Sequence, residues 1–138
     1  GLVGSEMCIR DSPDRVHKLL LIFPAFVLFD DAKETYRELG SPDFDQLPDS
    51  LTHHNATLGK IYLIDALDID IQAEQTKITA PTLIIHGTDD AVVPYQYAVQ
   101  ASQTIPNAKL VTVEGGEHRI DERFAITAAP AIQKFLKE

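Results

Sequence analysis

At 138 residues the chain is the size of one ordinary domain, which excludes a multidomain machine or a long repeat array. Its 44% hydrophobic and 24% charged composition, with 7 Gly and 8 Pro, is that of a globular chain and not of a disordered or collagenous one. A net charge of −9 repels phosphate backbones and anionic lipid, so neither nucleic acid nor a membrane surface is an expected partner.

Residues 1–12 (GLVGSEMCIRDS) show no sustained period and no convincing element. They resemble a peptide that recurs at the ends of translated sequencing reads through adaptor carry-over, which implies a non-native tail before a domain spanning 13–138. Val16 to Phe23 (VHKLLLIF) is a short apolar run ended by Pro24 and reads as a strand buried on both faces. Such a strand belongs in a sheet interior, so we expect an upstream strand to pair with it and the chain to be a C-terminal fragment. The segment from about 27 to 77 is mixed and acidic: eleven acids and three bases (Lys33, Arg37, Lys60) fall between Asp30 and Glu74, a net −8. Turn chemistry at Gly40-Ser41-Pro42 and Leu47-Pro48-Asp49-Ser50, with short helices around Asp31–Leu39 and Leu58–Leu67, makes it an inserted lid.

A second apolar run, Thr82 to His86 (TLIIH), follows Pro81 and closes at Gly87, and a third, Lys109 to Val113 (KLVTV), closes at Gly115-Gly116. Between them Tyr95 to Thr104 reads as a helix stopped by Pro106-Asn107, giving a βαβ unit. Ile120, Phe124, Ala128, Ile132 and Phe135 or Leu136 recur near every fourth position, as in an amphipathic helix that Pro130 should kink, or restart with Thr127 as N-cap. The fold class is therefore α/β, with three parallel strands, flanking helices and a lid insertion.

Cys8 is the only cysteine, so no intrachain disulfide and no thiolate metal cluster can form. With no apolar run long enough to span a bilayer and no secretion signal, a cytoplasmic address is expected. His53-His54 has no third ligand at a telling spacing, and Asp65, Asp68 and Asp70 lack the glycine and closing glutamate of a calcium loop, so no metal is expected. Asn55-Ala56-Thr57 fits a glycosylation pattern that has meaning only in a secreted chain.

Two loops carry chemistry because each places an ionisable residue just past the C-terminal end of a parallel strand, where open α/β sheets build their sites. They are His86-Gly87-Thr88-Asp89-Asp90-Ala91-Val92-Val93-Pro94 and Glu114-Gly115-Gly116-Glu117-His118. A carboxylate that accepts from imidazole Nδ1–H fixes the tautomer in which Nε2 takes a proton from a serine. The order acid then histidine is that of α/β-hydrolases.

HGTDDAVVP followed by GGEH resembles the acid and histidine loops of the α/β-hydrolase family, and the resemblance covers residues 13–138. It implies a triad acid at Asp90 and a triad base at His118, leaves Asp89 without a catalytic role, and calls for no cofactor. FPAFVLFDDA, LGKIYLIDA and ITAPTLIIHGTDD are most similar to the cinnamoyl and feruloyl esterase group. That likeness implies that Asp31 and Tyr62 hold the phenolic end of a small-molecule hydroxycinnamate ester.

The chain departs from the family in lacking any Gly-x-Ser-x-Gly. Ser5 follows Gly4 but Met7 stands where the second glycine should be, and neither Ser5 nor Cys8 is expected to be a nucleophile. The expectation is the C-terminal part of a serine ester hydrolase, inactive alone. One alternative is a non-catalytic α/β binding module or a hydrolase-like protein without its nucleophile. Another is peptidase, lactonase or perhydrolase chemistry on the same acid and base.

Overall fold

A computed structural model describes residues 16–53 and 56–138. The expectations for Ser5, Cys8, His54 and Asn55 lie outside the described residues, and of His53 only the backbone is described. Two compact units emerge, one built from residues up to Ala25 together with Gln72–Glu138, the other from Phe26–Ile71.

The first unit holds a three-stranded parallel sheet. Its strands are β1 (Leu19–Ile22), β4 (Thr82–Gly87) and β5 (Ala108–Val113), in the order β1-β4-β5. Leu19 pairs with Thr82 and Ile22 with Ile85, while Thr82 pairs with Ala108 and Gly87 with Val113. The central strand β4 is buried at all six positions, as an uninterrupted apolar run requires. β1 alternates buried and half-buried residues, and β5 buries only Val113 fully. Both end strands of the described sheet are thus less enclosed than the sequence pattern alone suggests.

Helix α4 (Tyr95–Thr104) links β4 to β5 and packs on both, with Ala98 and Ala101 fully buried; their small side chains let the helix approach the sheet closely. Helix α5 (Glu122–Lys137) brings Phe124, Ala128 and Phe135 against Leu83, Ile85, Val113 and Phe23. Full burial of a side chain such as Ile85 stabilises the fold by about 1.5–3 kcal/mol.

α5 corrects the expected restart after Pro130. The helix runs unbroken through Pro130 and is capped by Asp121, whose side chain accepts from the Phe124 N–H at 2.9 Å, so Thr127 starts nothing. Pro130 lies on the exposed side and so does Ile126, the residue whose carbonyl loses its partner, which leaves that carbonyl to water. Burial of Phe124 and Phe135 offsets the rest of the cost.

In the second unit, α1 (Val27–Glu38) and α2 (Lys60–Asp68) pack through Ala32, Leu47, Leu63 and Ala66, flanked by Phe29, Tyr36, Leu51 and Ile64. α1 ends where Gly40 and Ser41 adopt positive φ (83° and 51°), and the Ser41 N–H returns to the Tyr36 carbonyl at 3.0 Å. A short 3-10 helix (Phe44–Gln46) follows, and then an antiparallel pair, β2 (Ser50–His53) and β3 (Ala56–Gly59), which the sequence reading leaves out. Helix α3 (Ile71–Thr76) begins at the boundary between the units.

Candidate functional site

Asp90 sits just beyond β4 and His118 just beyond β5, at adjacent tips of the parallel sheet. His118 Nδ1 lies 2.7 Å from Asp90 Oδ2. The Asp90 side chain is fully buried, whereas that of His118 is 35% exposed. The other carboxylate oxygen, Oδ1, accepts from the Val92 N–H at 2.9 Å and the Val93 N–H at 2.8 Å, so both oxygens are held. Burial would by itself raise the Asp90 carboxyl above its ordinary range. The Val93 N–H, the His118 ring and the Val92 N–H outweigh it and hold Asp90 below that range, ionised at neutral pH. A carboxylate at this position fixes the histidine as the tautomer with its proton on Nδ1, which leaves the Nε2 lone pair to accept.

His86 backs the acid turn from within the sheet. Its ring is completely buried, with Nε2 2.8 Å from the Val93 carbonyl and 3.2 Å from Asp90 Oδ2. Nε2–H donating to that carbonyl steadies the residue whose own N–H holds Asp90, while Nδ1 has no hydrogen-bond partner among the described residues. His86 thus organises the acid loop.

The two loops are sewn together by backbone. Thr88 N–H donates to the Val113 carbonyl at 3.1 Å and Asp89 N–H to the Gly116 carbonyl at 2.9 Å. Gly115 N–H donates to Thr88 Oγ1 at 2.8 Å. The approach is so close that a Cβ on Gly87 would collide with the Gly116 carbonyl, so only glycine fits there. On the histidine side Arg123 donates to the Gly115 carbonyl at 3.0 Å, and Arg119 pairs with Glu117 and Asp121. Asp89 is exposed, and its carboxylate accepts a hydrogen bond from the Thr88 hydroxyl at 3.1 Å, apart from the His118 bond.

Sequence reasoning passes over Phe23 and Thr88. Phe23, at the tip of β1, lies with its ring centroid 4.9 Å from that of His118. No sequence signal announces it, because its left-handed φ of 48° belongs to a residue type that rarely adopts one. Thr88 joins the loops through a hydroxyl whose partner, Gly115, is 27 residues away.

Asp31 and Tyr62 belong to the second unit. Asp31 is half-buried on α1, and Tyr62, 36% exposed, lies in the first turn of α2. In the same unit Phe44, Ile64, Asp65, Leu67 and Asp68 line a pocket of about 210 Å³. Among the described residues no group of three or more His, Cys, Asp or Glu is arranged to hold a metal ion, and no helix is long and apolar enough to cross a membrane.

Residues 67–138 match the family model described as TAP-like protein, of the α/β-hydrolase group. A protein named as a carbamate hydrolase, RutD of Stutzerimonas stutzeri, is 39% identical over 70 residues, 50% of this chain and 26% of its own length. The non-heme chloroperoxidase CPO-A1 of Kitasatospora aureofaciens is 41% identical over 64 residues, 45% of this chain and 23% of its own. Among solved structures, Est1E from Butyrivibrio proteoclasticus superposes with a TM-score of 0.80 at 28% identity, covering 100% of this chain and 59% of Est1E. Its complex with ferulic acid gives 0.78 at 28% identity, covering 100% of this chain and 57% of that one. This chain therefore spans under two thirds of the Est1E chain, and its matched stretches amount to about a quarter of those two curated relatives.

Proposed function

The chain belongs to the α/β-hydrolase family, and from that premise we propose that it carries the acid and the base of a serine hydrolase triad acting on carboxylic esters. The 2.7 Å bond between His118 Nδ1 and a buried, ionised Asp90 is the observation that carries this reading. The nucleophile it needs is a serine in a Gly-x-Ser-x-Gly turn on polypeptide N-terminal to the sheet described above.

The chemistry follows from the tautomer. As the serine oxygen attacks the ester carbonyl, His118 Nε2 takes its proton, and the same nitrogen returns that proton to the departing alkoxide. Water then repeats the sequence on the acyl-enzyme. Asp90 keeps its own proton count throughout and stabilises the imidazolium, its geometry fixed by Val92 and Val93.

For substrate we propose hydroxycinnamate esters, supported by the likeness to Est1E, which has been solved with ferulic acid bound. In this reading Asp31 accepts from the phenol O–H and Tyr62 donates beside it. The carbamate hydrolase and chloroperoxidase names among the relatives favour a second reading, in which the same acid and base act on a carbamate or support perhydrolysis.

The test uses the protein with its nucleophile-bearing segment. His118→Ala should lower kcat by about 10³–10⁴-fold while leaving the fold intact. Near-normal turnover would reject the assignment. A panel of feruloyl, aliphatic, carbamate and peracid-forming substrates ranks the chemistries, and the ester reading fails if carbamates turn over fastest.

A further inference from the structure

We propose that Phe23 is a positioning residue for His118, its ring packed at a tilt beside the imidazole while Asp90 bonds to Nδ1. The proposal rests on the reading of His118 as the base. Three observations carry it.

The first is backbone. Phe23 continues the β1 ladder through its N–H, which donates to the Ile85 carbonyl at 3.1 Å, and then turns to φ 48°. A bulky residue pays a steric cost in that left-handed well, and the following Pro24 restricts it further toward extended conformations. Such a conformation persists only where the surroundings over-determine it. Glycine would make the same turn without strain, so the turn does not by itself call for an aromatic ring here.

The second is where the strain delivers the side chain. Phe23 is 8% exposed and touches three rings: His118 at 4.9 Å between centroids with planes at 42°, Phe124 at 5.0 Å, and the buried edge of the His86 system at 6.0 Å and 88°. Phe124 is anchored in the core by α5, so Phe23 is wedged between a fixed wall and the imidazole.

The third is what His118 lacks without it. Its side chain is 35% exposed, and the bond to Asp90 leaves the ring able to swing about the Nδ1···Oδ2 line. A ring packed against the imidazole at a 42° tilt restricts that freedom. The three strand tips thus contribute one part each: Phe23 from β1, Asp90 from β4 and His118 from β5.

The experiment compares wild type, Phe23→Leu, Phe23→Tyr and His118→Ala in the protein with its nucleophile-bearing segment. Phe23→Leu keeps an apolar side chain of similar reach but no ring, and should lower kcat about tenfold with KM changed less than about twofold. Phe23→Tyr keeps the ring and should recover most of kcat. In proton NMR the low-field His118 Nδ1–H resonance should persist in wild type and Phe23→Tyr and broaden in Phe23→Leu, a sign of a loosened ring that a simple loss of stability would not give. If Phe23→Leu does not fold, Phe23→Met is read in its place. Wild-type kcat and an unchanged resonance in the folded Leu or Met variant, with His118→Ala inactive, overturn the Phe23 proposal alone. Turnover retained by His118→Ala overturns the reading on which it rests.

Discussion

The sheet unit and the Phe26–Ile71 unit handle burial and charge in opposite ways. In the first, a strand buried at all six positions leads into the acid loop, which backbone hydrogen bonds join to the histidine loop, and the Asp90 carboxylate at its tip is buried with both oxygens bonded. In the second, a small apolar cluster around Ala32, Leu47, Leu63 and Ala66 carries most of the acidic excess, and Phe44, Ile61 and Tyr62 are exposed. Under the proposed function the contrast would match different tasks. A proton-transfer pair needs fixed distances, which strand ends supply, whereas the proposed substrate contacts at Asp31 and Tyr62 fall in the less enclosed unit.

The sharpest way to break the contrast is at the acid. Asp90→Asn keeps the shape and an oxygen for the Val92 and Val93 N–H groups, yet cannot hold the same histidine tautomer. It should lower kcat by about 10⁴-fold with little change in thermal unfolding, measured in parallel by turnover and by circular dichroism. A loss confined to stability would make Asp90 a structural residue only.

Next in size is the core. Ile85→Ala should destabilise the sheet unit by about 3–5 kcal/mol and Leu63→Ala the second unit by about 2–3 kcal/mol in urea titrations. Equal effects, or a larger one at Leu63, would contradict the view that the sheet unit is the better packed.

Smaller still is selectivity. Asp31→Asn and Tyr62→Phe should each lower kcat/KM for feruloyl esters about tenfold relative to aliphatic esters, the equivalent of about 1.4 kcal/mol. A uniform loss on both ester classes would separate these residues from the phenol ring.

The smallest expected effect is on pH dependence. Because folding holds the Asp90 carboxyl below its ordinary range, the folded state binds its proton less readily than the unfolded one. The resulting stabilisation is fully present at neutral pH and is lost as pH falls below about 4 through the folded-state value. Unfolding titrations from pH 6 downward should show a steeper loss in wild type than in Asp90→Asn; parallel curves would mean that Asp90 contributes nothing to the acid limb.

Much of the sheet unit was legible in sequence. The strand cores at Leu19–Ile22, Thr82–His86 and Lys109–Val113 are runs too short and too apolar for surface helices, and Tyr95–Thr104 carries its own stop in Pro106. Asp90 and His118 stand out only as a pair: either alone is ordinary in a turn or a glycine-rich loop, whereas an acid and then a histidine past successive strands is the order of α/β-hydrolases. The pairing of β2 with β3 was illegible because SLTH and ATLG alternate only weakly. Pro130 misled because its cost depends on which way its freed carbonyl faces, a tertiary fact. Phe23 was hidden for a similar reason: a torsion angle decides what its ring touches.

The absence of room between Gly87 and Gly116 has a consequence for anyone who would re-engineer this protein. The acid loop and the histidine loop form one interlocked part, so a graft or a library that exchanges residues 88–94 from a relative has to bring its 114–118 along. Swapped singly, either loop would arrive shaped for a counterpart that is no longer there.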